Sequence, residues 1–403
     1  MRLTKATIGA VEIAPGKTER IVFDDALPGF GIRLRAGGKR TWIVQYRVGT
    51  KHRRVTLANA AALDPEEARK HAREILAKVQ LGGDPQIEKA QARARAAITL
   101  SGVTVDYLRL VETRLRPTSY AEAERYLHRY LAPLHDSPVH SVGRREVASW
   151  LNGVAAQHGP HAANRGRTCL SALFTWAMRQ GLVETNPVTA TGKAIEETSR
   201  TRVLIAGEIA EIWRACRDDD HGRIVKLLLL TGQRRNEVGG MRWCEIDKAS
   251  GVWRLPAERT KNGLPHDVPL SHAVREILET VPRRTGREFL FGESAGSYQG
   301  WSRAKTSLDK RINETRIWMH GRNTQVIPPW RLHDLRRTVV THMNENLGVL
   351  PHVVEAVVNH ITGPARMGVA GVYNRATYAT EKTAALENWS QYLRQIITAD
   401  IQA

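Results

Sequence analysis

Cysteines and long apolar runs are both scarce in this chain. Its 403 residues include three cysteines, Cys169, Cys216 and Cys244, and none of them belongs to a Cys-x-x-Cys pair. An odd number at these spacings argues against a disulfide framework or a zinc site and indicates ordinary thiols in a reducing compartment. The longest strongly apolar run, residues 224–230, contains a lysine and is far too short to span a bilayer. Because no signal-peptide or lipidation pattern is present, we expect a cytoplasmic protein without a membrane partner.

Acidic residues are in short supply as well. The chain has 41 of them against 60 lysines and arginines, which gives a formal net charge of +19. Such an excess predicts a polyanionic partner, because each contacted phosphate releases condensed counterions. Residues 1–100 alone hold 19 basic and 10 acidic side chains. Since neither a His-Glu-x-x-His pattern nor a carboxylate cluster is present, we expect a nucleic-acid-binding protein that needs no metal or other cofactor.

Residues 1–85 have the pattern of a small sheet with one helix. Short segments rich in β-branched and aromatic residues alternate with Pro-Gly and Gly-Gly turns, which predicts strands at residues 21–23, 31–35, 41–46 and 53–57. A helix is predicted next, with Asp64 as its N-cap, Pro65 at its first position and an end near Gly82-Gly83. Residues 86–99, rich in Ala, Arg and Gln, are predicted to be a linker, either extended or helical.

The rest of the chain is predicted to be mainly helical. Apolar residues at three- and four-residue spacing predict an all-α domain over residues 100–188, whose last helix would stop at Asn186-Pro187. A polar linker, residues 189–202, would follow. Residues 203–403 are predicted to form a third domain, mainly α with a small antiparallel sheet, in which an Asn262-Gly263 turn joins strands at residues 252–255 and 266–269.

A stripe of large side chains near the C-terminus has two interpretations. Leu386, Trp389, Leu393 and Ile396, with their neighbours Tyr392 and Ile397, recur at helical spacing. The simpler interpretation is core packing of a last helix. The alternative is a tail helix that docks on a neighbouring protomer.

The third domain contains the side chains that breaking and rejoining a phosphodiester requires. Two arginines can neutralise the non-bridging oxygens, a phenol can form a covalent phosphotyrosine, and a lysine can protonate the departing oxygen. These residue types occur in one order along the chain, namely Arg234 with Glu237, Lys261, His333 with Arg336, His360 and Tyr373. Each of them alone has an ordinary interpretation. Arg234 could belong to a solvated ion pair, and Lys261 could lie at a hairpin tip. Tyr378, five residues after Tyr373, is a second candidate for the reactive phenol. Their order within 140 residues favours a common site.

This set resembles the tyrosine recombinase, or phage integrase, family. The matching motifs are Thr-Gly-Gln-Arg-Arg-Asn-Glu at residues 231–237, His-Asp-Leu-Arg at residues 333–336, and Asn359-His360 before Tyr373. Residues 24–35, 39–47 and 82–85 are also similar to the arm-type DNA-binding domain of prophage and genomic-island integrases. The resemblance thus covers nearly the whole chain, and it implies a multidomain tyrosine recombinase fold with an α+β N-terminal domain.

The resemblance also implies a role for each residue. Tyr373 would be the nucleophile, Arg234 and Arg336 the arginine pair, and Lys261 the general acid. His333 would assist acid–base chemistry, His360 would bind the phosphate and Glu237 would orient the arginines. Three departures stand out: Gly239-Gly240 in place of a more apolar helix, Asn359 in place of the usual Gly, and a 13-residue gap from His360 to Tyr373.

The expected function is site-specific integration and excision of a mobile element through a 3′-phosphotyrosyl intermediate. Its partners would be double-stranded DNA at crossover and arm-type sites, a homotetramer on that DNA, and a directionality factor or host DNA-bending protein. The arm contacts would come from Lys39, Arg40, Tyr46, Arg47, Arg53 and Arg54. Two alternatives remain open on the sequence: a type IB topoisomerase, which rejoins the same strand, and a DNA-binding regulator without catalysis.

Overall fold

The computed structural model describes residues 1–321, 324–360 and 376–399. The chain divides into two compact units, residues 1–198 and residues 199–403. Tyr373 lies outside the described residues.

The first unit begins with a four-stranded antiparallel sheet in the order β1-β2-β3-β4. A short helix α1, Lys5–Gly9, precedes it, and the strands are Glu19–Phe23, Phe30–Arg35, Arg40–Val48 and Lys51–Asn59. Gly29, between β1 and β2, has a φ of 88°, and a Cβ there would lie 2.5 Å from the carbonyl oxygen of Gln45. This turn therefore requires glycine. The predicted strands are present, each between one and four residues longer than predicted.

Helix α2, Pro65–Gln80, covers one face of this sheet. It starts as predicted: the Asp64 side chain accepts a hydrogen bond from the Glu66 backbone, and Pro65 is the first helical residue. Its inner residues Ala68 and Ala72 pack with Phe30, Trp42 and other buried side chains of the sheet. Within this core the guanidinium of Arg69 forms a 2.6 Å ion pair with Asp24, so the buried charges compensate each other.

The remainder of the first unit is helical. Its helices are α3, Pro85–Ala97; α4, Leu100–Glu112; α5, Pro117–Glu124, which continues as a π-helical turn, Arg125–Tyr130; α6, Arg144–His158; and α7, Pro160–Arg179. Each residue of α3, the predicted linker, is at least partly exposed. Helix α7 ends at Arg179, seven residues before the predicted stop, because Gly181 adopts a left-handed φ of 70°. Asn186 lies in the segment after α7, and its side-chain amide binds that segment to the helix by donating to the Ser171 carbonyl at 3.0 Å.

The second unit surrounds α9, most of whose residues are buried. Its helices are α8, Ala206–Ala215; α9, Asp220–Thr231; α10, Arg235–Gly239; α11, His272–Glu279; α12, Trp301–His320; α13, Leu332–Glu345; α14, Pro351–Val357; and α15, Ala379–Ala399. A three-stranded antiparallel sheet consists of β5, Ile246–Asp247; β6, Val252–Leu255; and β7, His266–Pro269. The two predicted hairpin strands thus have the predicted bounds.

Helix α15 packs into the core of its own unit. Leu386, Trp389 and Leu393 are essentially fully buried against side chains of this unit. The Trp389 indole also donates a 2.7 Å hydrogen bond to the carbonyl of Leu229 in α9. The C-terminal stripe is therefore core packing in this structure, which is the simpler of the two interpretations.

Candidate active site

The first arginine motif follows the end of helix α9. Gly232 ends this helix with a left-handed φ of 65°, and the next helix starts three residues later. Arg234 occupies the N-cap of α10, where its backbone N–H donates to Glu237 at 2.9 Å and its guanidinium donates to the same carboxylate at 2.8 Å. Glu237 is buried. The Glu237 carboxylate therefore holds both the backbone and the side chain of Arg234.

The second arginine, Arg336, enters the same region from helix α13. Its side chain is buried and donates to the Gly232 carbonyl at 2.9 Å and to the Val358 carbonyl. Burial, and next the positive charge of Arg234, lower the pKa of Arg336 to about 10. Arg336 thus binds the backbone two residues before Arg234, and its guanidinium remains protonated at neutral pH.

His333 lies one helical turn before Arg336. The i,i+3 spacing places both residues on one face of α13. Partial desolvation, and then the charges of Arg336 and Arg337, lower the pKa of His333 although its side chain reaches solvent. The imidazole is therefore neutral at pH 7, a form that can accept a proton.

These elements meet at residues 357–359, which we call the carbonyl turn because side chains from three elements bind its backbone oxygens. The Val357 carbonyl accepts from Gln233 at 2.8 Å and contacts the His266 ring at 3.0 Å. The Val358 carbonyl accepts from Arg336, and the Asn359 carbonyl accepts from Asn262 at 3.1 Å. Gln233 adjoins Arg234 and Asn262 adjoins Lys261, so the carbonyl turn gathers the elements that carry three of the predicted site residues.

Lys261 is exposed between two anchored neighbours. Thr260 is fully buried, and its hydroxyl donates to the Leu264 carbonyl at 2.7 Å. On the other side, Asn262 reaches both the carbonyl and the side-chain oxygen of Asn359. The backbone of Lys261 is thereby held while its ammonium group extends into solvent.

The last two predicted residues lie after the carbonyl turn. His360 is exposed, and its backbone N–H donates to the Glu355 carbonyl at 2.9 Å. Tyr373 belongs to the segment outside the described residues. Tyr378 is described: its backbone has a φ of 51°, and its ring lies 5.1 Å from the ring of His352, near the start of α14.

The chain matches three family models. The phage integrase family covers residues 202–377, the arm DNA-binding domain residues 3–92, and the phage integrase central domain residues 101–194. The chain belongs to the phage integrase family. It is therefore a tyrosine-type site-specific recombinase.

Relatives and solved integrase structures agree with this assignment. The chain is 23% identical to the prophage integrase IntZ of Escherichia coli (strain K12), across 99% of this chain and 98% of IntZ. It is 31% identical to the integrase of Escherichia phage lambda, across 40% of this chain and 46% of that protein. A lambda integrase tetramer bound to a Holliday junction superposes with a TM-score of 0.53 at 20% identity, covering 86% of this chain and 99% of the other. The Tn1549 transposon integrase has a TM-score of 0.51 at 18% identity, with coverages of 72% and 99%. The predicted fold class is confirmed.

One of this integrase's departures from the family pattern, Gly239-Gly240, has a packing reason. A Cβ on Gly239 would lie 2.5 Å from the ring of Trp301, and one on Gly240 would lie 2.9 Å from the guanidinium of Arg259. That guanidinium donates to the Glu237 carbonyl at 2.6 Å and pairs with Glu245. The two glycines thus let Trp301 and Arg259 support the short helix that carries Glu237.

The predicted arm-site residues are distributed over both faces of the N-terminal sheet. Side chains alternate along a strand, and the register pairs Tyr46 with Arg53 and Gln45 with Arg54. The buried Tyr46 faces the core, and its hydroxyl donates to Asp84 at 2.9 Å; Arg53 pairs with the same carboxylate at 2.8 Å. Arg47 and Arg54 are exposed on the opposite, uncovered face.

The two other arm-site candidates lie at the start of β3. Lys39 is exposed in the preceding turn, whereas the guanidinium of Arg40 donates to the backbone carbonyl of Gly9 at 3.2 Å. The uncovered face additionally presents Arg35, which the sequence interpretation did not single out.

Sequence reasoning missed the residues that assemble the site. Gln233 occupies the variable position of the first arginine motif, and Asn359 stands out only as a replacement for the usual glycine. The sequence indicates only a turn for Asn262 and only a strand for His266. The unusual Asn before His360 was the one available signal. Within the described residues, no cluster of His, Cys, Asp and Glu with metal-binding geometry occurs, and no helix is long and apolar enough to cross a membrane.

Proposed function

We propose that this integrase exchanges DNA strands at attachment sites through a 3′-phosphotyrosyl intermediate on Tyr373. The observation that carries the proposal is the carbonyl turn. It draws together the motif of Arg234, the hairpin of Lys261 and the helix of Arg336, and it directly precedes His360. Two arginines, a lysine on an anchored hairpin, a neutral histidine and a further histidine form a set suited to a phosphodiester in transition.

Each proposed role follows from charge and position. Arg234 and Arg336 would bind the non-bridging oxygens and stabilise the charge that develops on them. The Tyr373 phenol would give its proton to neutral His333 while its oxygen bonds to phosphorus. The phosphorus–O5′ bond would then break, its electron pair going to O5′, which takes a proton from Lys261. The partner duplex's 5′-hydroxyl would reverse these steps, so the phosphotyrosine conserves the bond energy.

Tyr373 is preferred over Tyr378 as the nucleophile because of where Tyr378 lies. The ring of Tyr378 packs near His352, at the N-terminal end of α14, whereas the carbonyl turn and His360 follow its C-terminal end. Seven helical residues separate these ends by about 10 Å, at roughly 1.5 Å per residue. In the sequence, Tyr373 follows His360 by 13 residues and precedes Tyr378 by five.

Adduct formation on a nicked suicide substrate tests the nucleophile. The substrate is a duplex of the element's own attachment core, read from the direct repeats that flank the element. Wild type should form a denaturant-stable protein–DNA adduct, Tyr373→Phe should form none while still binding the duplex, and Tyr378→Phe should form it. An adduct with Tyr373→Phe but not with Tyr378→Phe would identify Tyr378 as the nucleophile. If wild type forms no adduct, the proposal is wrong.

We further propose three domains, an arm-binding domain over residues 1–85, a core-binding domain over residues 100–188 and a catalytic domain over residues 203–403, joined by linkers. Three separate buried clusters support this division. By analogy with the lambda integrase tetramer on a Holliday junction, four protomers would act together on double-stranded DNA. A directionality factor or host DNA-bending protein would select integration or excision, and the place of action would be the bacterial cytoplasm.

A further inference from the structure

An amide pair ties the hairpin that carries Lys261 to the carbonyl turn. The Asn262 side chain donates to the side-chain oxygen of Asn359 at 2.9 Å and to its backbone carbonyl at 3.1 Å. The Asn359 amide in turn approaches the Asn262 oxygen at 3.4 Å, and that oxygen also accepts from the Leu264 backbone at 3.2 Å. Residues 97 positions apart in the chain are thus joined by a reciprocal contact.

The backbone of Asn359 shows why asparagine suits this position. Its φ of 50° lies in the left-handed region, where glycine has no steric cost and asparagine is the next best tolerated residue. Glycine would satisfy the backbone but would leave Asn262 without its side-chain acceptor. Asn359 is also 3% exposed, so loss of this contact would leave a buried amide with fewer partners.

We propose that Asn262 and Asn359 are positioning residues that place Lys261 at the departing 5′-oxygen. The inference rests on the proposed general-acid role of Lys261. A lysine has a flexible four-carbon stem, so its ammonium group reaches a defined point only if the backbone that bears it is held. Thr260 anchors that backbone on one side, and the Asn262–Asn359 pair anchors it on the other.

The test uses a leaving group that needs no proton. In one of two otherwise identical suicide duplexes, sulfur replaces the bridging 5′-oxygen at the scissile phosphate. A thiol has a pKa of about 8.5 against about 15.7 for water, so a thiolate leaves without a general acid. Single-turnover cleavage with saturating full-length protein is measured on both duplexes, which removes any effect on DNA affinity.

The variants separate the amide contact from backbone strain. Asn359→Gly keeps the left-handed conformation, and Asn262→Ala removes the other amide. Each should slow cleavage of the oxygen duplex about tenfold, the effect of one lost hydrogen bond to a buried partner. The double variant should be no slower than Asn262→Ala alone, because Asn262→Ala already loses the amide contact that Asn359→Gly removes. On the sulfur duplex all of them should cleave within about twofold of wild type, since no proton transfer is required.

Two controls distinguish the possible failures. Leu264→Ala removes an exposed side chain from the same hairpin connection and should leave both rates unchanged. Lys261→Ala should lose on the order of a hundredfold or more on the oxygen duplex and recover on the sulfur duplex. If Lys261→Ala does not recover, its general-acid role fails. If it recovers while the asparagine variants stay slow on sulfur, or if they cleave oxygen normally, the positioning inference is overturned.

Discussion

At the scale of single residues, His266 shows how the second unit depends on an uncharged side chain. It is 6% exposed, and its ring contacts the Val357 carbonyl of the carbonyl turn at 3.0 Å. Burial, and next the charge of Lys382, lower the pKa of His266 to about 3. The folded protein therefore keeps this imidazole neutral across the physiological range, with an N–H available to the Val357 carbonyl.

This neutrality predicts a specific loss of stability in mild acid. Below pH 6.5 the unfolded chain binds a proton at His266 and the folded chain does not, so folding is favoured less as the pH falls from 6.5 towards 3. At about 1.4 kcal/mol per pH unit, the proton uptake of His266 in the unfolded chain should lower the free energy of unfolding by about 2 kcal/mol at pH 5. The variant His266→Gln retains a donor for the carbonyl but does not titrate. Calorimetry of the full chain at pH 7.5 and pH 5 should show a smaller drop in the Tm of the second unit for the variant than for wild type, and equal drops would contradict the prediction.

At the scale of elements, the junction of α9 and α10 decides where Arg234 points. Helix α10 has only five residues, so it depends on packing rather than on its own hydrogen bonds. Trp301 of α12 lies against Gly239 at its end, and Arg259 contacts the Glu237 carbonyl within it. A shift of α10 would move Glu237 and, with it, the N-cap that carries Arg234.

Gly239→Ala should therefore destabilise the protein although alanine is the better helix former. Alanine gains about 1 kcal/mol of helix propensity, but its methyl group would lie 2.5 Å from the Trp301 ring. Overpacking of this kind costs about 1–3 kcal/mol, so we expect a net loss and a lower Tm, together with slower adduct formation. Gly207→Ala in α8 is the matched control, since nothing lies within 4 Å of the added atom. A Tm for Gly239→Ala at or above that of Gly207→Ala would rule out this packing role.

Local elements were predictable from the sequence, whereas the assembly of the site was not. The hairpin β6–β7 and the start of α2 have their predicted bounds, because alternation, an Asn-Gly turn and an Asp-Pro start act over a few residues. The carbonyl turn depends instead on partners 124 and 97 positions apart, Gln233 with Val357 and Asn262 with Asn359. No local pattern encodes such a pairing. The early end of α7 also differs from the prediction. Gly181, with its left-handed φ, ends the helix before the chain reaches Asn186-Pro187, where the sequence predicts the stop.

At the scale of the whole molecule, not all of the 60 lysines and arginines are available to DNA. Some of them form internal ion pairs, such as Arg69 with Asp24 and Arg53 with Asp84. In the N-terminal sheet, side-chain alternation places Arg53 on the helix-covered face, whereas Arg47 and Arg54 lie exposed on the uncovered face. Neighbouring basic residues of one strand pair should therefore differ in function: Arg54 would contact phosphate, and Arg53 would maintain the fold.

Salt titration of arm-site binding can separate these two functions. Each arginine that contacts a phosphate adds about one unit to the slope of log affinity against log salt concentration, because it releases about one counterion. Arg47→Ala and Arg54→Ala should each reduce that slope by about one with an unchanged Tm. Arg53→Ala should keep the slope and lower the Tm, because Asp84 then loses its guanidinium partner, although it still accepts from the Tyr46 hydroxyl.

The slope can be measured by fluorescence anisotropy on arm-site duplexes between 50 and 200 mM salt, roughly the range in which such slopes are resolved. A slope that falls with Arg53→Ala and not with Arg54→Ala would place the DNA on the helix-covered side of the sheet and refute the assignment of the uncovered face.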